Sequence, residues 1–176
     1  MNGTPVFELV PFPKSGMLPA ELPAELFTTG VPTMGPKFRR EPQLLVADAP
    51  VSGTVVCFGI SSLFYRVGIE LATGHVVDVL SPDLLRGPNR PSVLPLPGFV
   101  NSSLPQFVEC VRLAISAFPY YSRGADLSER EAVASRVAEL LRPVDPPALE
   151  LDQFWSTFID DLVIGDFPTE DIVEGD

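Results

Sequence analysis

The sequence predicts an α+β fold, and three observations carry that expectation. From Leu44 to Leu80 the chain is rich in β-branched and aromatic residues, cut into short runs by Pro and Gly. Within that region Tyr65, Val67, Ile69 and Leu71 alternate with Arg66, Gly68 and Glu70, which is the two-residue period of a strand with one buried face. After Asn101 the period becomes helical: Leu104, Phe107, Val108, Val111, Ala114, Ile115 and Phe118 recur at spacings of three and four and form one continuous apolar face.

Taken in order, the first stretch carries Pro5, Pro11, Pro13, Pro19 and Pro23. Proline lacks the amide hydrogen a helix needs, so Val6, Phe7, Leu9, Val10 and Phe12 are expected as an extended arm. Residues 24–29 suit a short helix, opened by Pro23 and ended at Gly30, with Leu22, Leu26 and Phe27 inward. Strands are expected at 44–47, after Pro42, and at 54–60. An antiparallel hairpin follows, with arms 65–71 and 75–80 around Ala72-Thr73-Gly74. Residues 81–97 hold five prolines and read as a loop, with a short strand at 98–100 behind it. Asn101, Ser102 and Ser103 offer N-cap oxygens for the helix through Phe118. Ser128 and Glu131 have the spacing of a capping box for a second helix, which ends before Pro143. Asp152 is placed to cap a third, lined by Phe154, Trp155, Phe158, Ile159 and Leu162 and stopped by Gly165. Residues 1–165 are thus expected as one domain and 166–176 as a loose acidic tail.

With 176 residues, 45% of them hydrophobic, the chain is long enough to build a core without disulfides or a structural metal. Cys57 and Cys110 sit in apolar runs far apart in sequence and read as buried, reduced thiols. Prolines and charges interrupt every apolar stretch, so no membrane span is expected. The start lacks the basic and apolar regions of a signal peptide, which points to the cytoplasm. The net charge of −11 is unevenly placed: residues 145–176 carry ten acids and no Lys or Arg, leaving 13 acids against 12 bases before them. Such a field disfavours direct nucleic-acid binding and favours basic partners.

Catalysis finds little support. His75 is the only histidine and falls at the hairpin turn, with no nucleophile elbow and no phosphate-binding glycine loop elsewhere. Asp160 and Asp161 are adjacent, so on a helix they diverge by about 100° instead of converging on a metal. No cofactor and no metal is therefore expected.

Four collinear blocks lead further. LPAELFTTGVP (22–32), GIELATGHVVDV (68–79), NSSLPQF (101–107) and FWSTFIDDLVIG (154–165) resemble, in this order, the fourth group of the SUKH superfamily. The resemblance implies a SUKH-like α+β fold with a central, mostly antiparallel sheet flanked by helices. It also implies an immunity protein of bacterial polymorphic toxin systems, which inhibits a cognate toxin by binding and is not an enzyme. The 82–97 stretch and the 128–142 helix match none of the blocks. A different class of function, an interaction scaffold or regulatory domain on the same fold, has a simple discriminator: a neighbouring gene for a large secreted toxin favours immunity.

Each candidate residue has a bland and a functional reading. Asn101, Ser102 and Ser103 either cap a helix or form a toxin-facing turn. The Phe154, Trp155 and Phe158 face either packs the core or contributes Trp155 to an interface, where tryptophan is enriched. The acidic segment either keeps the protein soluble or complements a basic toxin domain, such as a nuclease or nucleic-acid deaminase. The partner-facing candidates are accordingly Trp155, Asp160, Asp161 and Asp166.

Overall fold

The computed structural model describes residues 5–14, 18–49, 53–86 and 95–174. Pro50, the 87–94 part of the proline-rich stretch, and Gly175-Asp176 lie outside them. The N-terminal arm is extended as its prolines require. Its strand β1 (Leu9–Val10) pairs antiparallel with β2 (Val31–Pro32), and α1 (Glu25–Thr28) lies between them. Gly30 has φ 87°, and a Cβ there would lie 2.1 Å from the Val10 carbonyl carbon, so only glycine lets the arm close over the helix end. Phe12 and Leu26 are buried beneath it.

A second, six-stranded sheet runs in sequence order with every neighbouring pair antiparallel. Its strands are β3 (Met34–Gly35), β4 (Phe38–Ala49), β5 (Gly53–Ile60), β6 (Tyr65–Glu70), β7 (Val76–Leu80) and β8 (Gly98–Asn101), with helix α2 (Pro82–Arg86) between the last two. The hairpin register pairs Tyr65 with Leu80, Val67 with Asp78 and Ile69 with Val76. Two expectations are corrected here. Strand β4 begins before Pro42 and runs through it, because the ladder shifts register between Arg40 and Leu45 and so accommodates a residue that cannot donate. The loop expected at 81–97 opens with a short helix, α2.

Alternate residues of the central strands serve two buried clusters. Val56, Phe58, Val67, Ile69, Val76 and Val100 join the main core under the helices, while Ala47, Val55, Cys57, Val77 and Val79 form a second cluster. Burial on both faces explains why TVVCFGI is continuously apolar instead of alternating.

The helices are α3 (Leu104–Ser116), α4 (Leu127–Leu141), α5 (Phe154–Ile164) and α6 (Thr169–Glu174), with a 3-10 turn at Pro146–Leu149. Ser103 caps α3, its hydroxyl accepting from Gln106 N at 3.4 Å. The caps of the next two helices each differ by one or two residues from expectation. Asp126, not Ser128, caps α4 by accepting from Glu129 N at 2.9 Å. Gln153 and Ser156 form the capping box of α5, and Asp152 sits just outside with φ 62°. Cap residues occur often enough in polar sequence that spacing alone does not choose among neighbours. Gly165 ends α5 in the left-handed conformation, as expected.

The acidic tail is also corrected. Phe167 packs its ring on Phe158 at 5.0 Å, and its amide donates to the Tyr121 hydroxyl at 2.9 Å. Thr169 N donates to Tyr121 O at 2.8 Å, and Arg123 holds both Glu170 and Asp171. Two apolar anchors, Phe167 and Ile172, are enough to dock a segment whose charge made it look loose.

At the centre of the core Phe38, Phe58 and Phe107 meet edge to face, with centroids 5.1 to 5.9 Å apart. Gly59 makes room for this trio, since a Cβ there would lie 2.0 Å from the Phe38 ring. Phe107 is fully buried. Phe107→Ala is therefore expected to destabilise the fold by about 3 to 5 kcal/mol, measured by chemical denaturation; an unchanged midpoint would remove this ring from the core.

Candidate functional site

The NSS segment at 101–103 joins β8 to α3, and its side chains turn inward. Asp145 is 1% exposed and lies just before the 3-10 turn. Its Oδ2 accepts from Asn101 Nδ2 at 2.9 Å and from Ser102 N at 2.7 Å, and its Oδ1 accepts from the Ser102 hydroxyl at 2.7 Å. Asn101 Oδ1 in turn accepts from Trp155 Nε1 at 2.9 Å. Gln106 Nε2 donates to Val144 O at 3.1 Å and adds a further tie to this connection. A strand, two helices and the turn are thereby joined through one buried carboxylate. Each group on it has a partner, which is the condition for a charge to remain inside. The segment is a structural joint as well as a cap.

Trp155 needs correcting as a partner-facing residue. It is fully buried, between Phe154 and Phe158 at 5.2 and 6.1 Å, and its one polar atom is spent on Asn101. It can position a surface but not form one. Asp160 and Asp166 are exposed, the first on α5 and the second just past its end. Asp161 is only partly exposed and is bound to Lys37 Nζ at 2.6 Å. The acidic segment thus divides into carboxylates tied within the fold, Asp145 and Asp161 among them, and carboxylates that face solvent, where Asp171 pairs with Arg123 at the surface.

Where α5 begins, a cleft of about 230 Å³ opens between helix and sheet. Lys37, Ser61, Asp78, Asp152, Gln153 and Thr157 line it. Asp78 lies in the middle of β7, directly opposite Val67, a core residue. Burial pushes its carboxyl up to about 6, against opposing contributions from the Ser61 hydroxyl and the Lys37 charge. Ser61 Oγ donates to Asp78 Oδ1 at 2.6 Å. Sequence reasoning passed over Asp78, although a lone acid inside His-Val-Val-Asp-Val-Leu was the visible sign.

The remaining sequence candidates are structural. His75 is half-buried and meets Phe99 edge-on at 5.4 Å. Cys57 and Cys110 are free and buried, and burial pushes both thiols up to about 12. Among the described residues no group of three or more His, Cys, Asp or Glu is placed to hold a metal, and no helix is long and apolar enough to cross a membrane.

A family model described as SUKH-4 immunity protein matches residues 18–161. The chain belongs to this family. Neither a curated protein nor a solved structure matches the chain. The four blocks that carry the SUKH-4 resemblance have structural work in common: the α1 closure at Gly30, the β6–β7 hairpin, the Asn101 joint and the buried face of α5. Asp78 lies inside the hairpin block, whereas Phe167 and α6 lie beyond the matched residues.

Two measurements test this account. Asn101→Ala strands Trp155 Nε1 and leaves the buried carboxylate a donor short, so it is expected to cost on the order of 3 kcal/mol. Equilibrium denaturation at unchanged midpoint would show the joint to be idle. For Asp78 the folded value is raised, so its contribution to stability is fully present below the ordinary carboxylate range and is lost as pH rises through about 6. Asp78→Asn is therefore expected to flatten the pH dependence of stability between pH 4 and 7, and an identical pH profile for both proteins would refute the burial of this charge.

Proposed function

We propose that this SUKH-4 protein is a cytoplasmic immunity protein that neutralises a cognate toxin by stoichiometric binding, without catalysis. Family membership over residues 18–161 carries the reading. The charge distribution supports a partner with a basic face, such as a nuclease or nucleic-acid deaminase domain. Ten acids lie between residues 145 and 176, and those committed to the fold still leave Asp160 and Asp166 at the surface. Like charges on nucleic acid would be repelled, so the partner is a protein that binds nucleic acid instead of the nucleic acid itself.

The test is inhibition of the toxin encoded beside this gene. Activity should fall linearly to zero at a fixed molar ratio, whereas one molecule inactivating many would overturn the proposal. Opposite fields raise association rates more than they add net affinity. Asp160→Asn with Asp166→Asn should slow association severalfold at low salt and flatten its salt dependence, with dissociation little changed. Stopped-flow kinetics at two ionic strengths reads both, and an association rate indifferent to salt and to the substitutions would leave these acids as solubility residues.

A further inference from the structure

The Asp78 carboxylate poses a problem that the fold does not solve. Strand β7 sits between β6 and β8, and Val76, two residues before Asp78, belongs to the main core. An apolar residue would suit position 78 and stabilise the sheet. Instead Asp78 has one hydrogen bond, from Ser61 to Oδ1, and among the described residues Oδ2 accepts none. Opposite it in the ladder is Gly98, which has no side chain to cover it; a Cβ there would still be 3.7 Å from that of Asp78. The space above the carboxylate is the 230 Å³ cleft.

Several exposed apolar residues stand close in sequence to the residues that line the cleft. Leu63 and Phe64 follow Ser61 and Ser62, Leu96 precedes Gly98 by two residues, and Leu151 precedes Asp152. These four side chains are 51 to 81% exposed, and each stands within two residues of a cleft-lining residue. Single exposed leucines are ordinary, but here three separate connections that contribute residues to one polar cleft each carry an exposed apolar residue, a composition suited to a protein partner. A partly desolvated carboxylate with exposed apolar residues nearby offers a seat for arginine, a residue type enriched at interface hot spots.

We propose that this cleft receives an arginine side chain of the protein partner, its guanidinium pairing with Asp78 and its flanking residues packing on Leu63, Phe64 and Leu151. Arginine fits best because guanidinium is weakly hydrated and planar, so it enters a narrow site at lower cost than an ammonium. The inference rests on the reading of the chain as a binder of a basic protein. It moves the anchor of the interface from the acidic end of α5 to the start of that helix. The charged groups facing Asp78 are Lys37 on the β3–β4 turn, neutralised by Asp161, and Asp152 before α5. With burial holding the Asp78 carboxyl up at about 6, occupancy should weaken roughly tenfold between pH 7 and pH 5.

The probe is N-acetyl-arginine amide, titrated into the isotope-labelled full chain and followed by amide chemical shifts. Saturable shifts are expected at Ser61, Ser62, Asp78, Gly98 and Thr157 at pH 7, much reduced at pH 5, and absent with the neutral citrulline analogue. Asp78→Asn should abolish them while the protein melts at the same or a higher temperature, a combination that a purely structural aspartate would not produce. Thr157→Lys, on the exposed side of α5, supplies a competing ammonium without touching the sheet and should abolish them as well. No shifts in the cleft, or shifts that persist in both variants, would overturn the proposal. Should the neighbouring toxin bind the wild type and Asp78→Asn equally tightly, the cleft is refuted while the immunity function stands; should it bind neither, the function falls on its own.

Discussion

Much of this structure depends on one buried carboxylate. Asp145 lies inside the protein only because Asn101 and Ser102 supply donors to both its oxygens, and Asn101 is oriented by Trp155. The sheet ends at β8, the helical layer begins at α3, and α5 must return to cover both; these boundaries meet at that carboxylate. Hydrophobic burial could bring the helices onto the sheet in several alignments. A charge that must be satisfied at a single place penalises the misaligned ones, which is how polar groups in a core confer uniqueness more than strength.

The same residue type does opposite things a few residues away. Asp145 is satisfied and inert, Asp161 is tied to Lys37, and Asp171 is held by Arg123. Asp78 is half-buried, holds one hydrogen bond and opens to a cleft. Asp160 and Asp166 are solvated. Net charge alone treats these as equal, yet only the last three can act on another molecule. Charge counting thus overestimated the free charge at the end of the chain.

The legible parts of the fold were those with a strong local period. The Tyr65–Leu71 alternation and the α3 face identified a hairpin and a core helix because burial repeats along each element. What could not be read depended on contacts distant in sequence. Phe167 docks on Phe158 and Tyr121, the bulge at Pro42 is set by β5, and the cleft joins three connections that only the fold brings together. At the candidate site the outcome is similar. Trp155 in a helical stripe reads equally as core or hot spot until its indole partner is known, and Asp78, a lone acid in an apolar run, gains its meaning once β7 is seen to place it over the cleft.

The order of the sheet carries a kinetic consequence. Each of the six strands pairs with its neighbour in sequence, and no long crossover intervenes before β7. Such a meander closes small loops first and so folds faster than sheets assembled from distant segments. Under the proposed immunity function this would bear on timing as much as on architecture. A newly made chain that reaches its native state without waiting for remote segments would be ready for a toxin soon after synthesis, when protection has to begin.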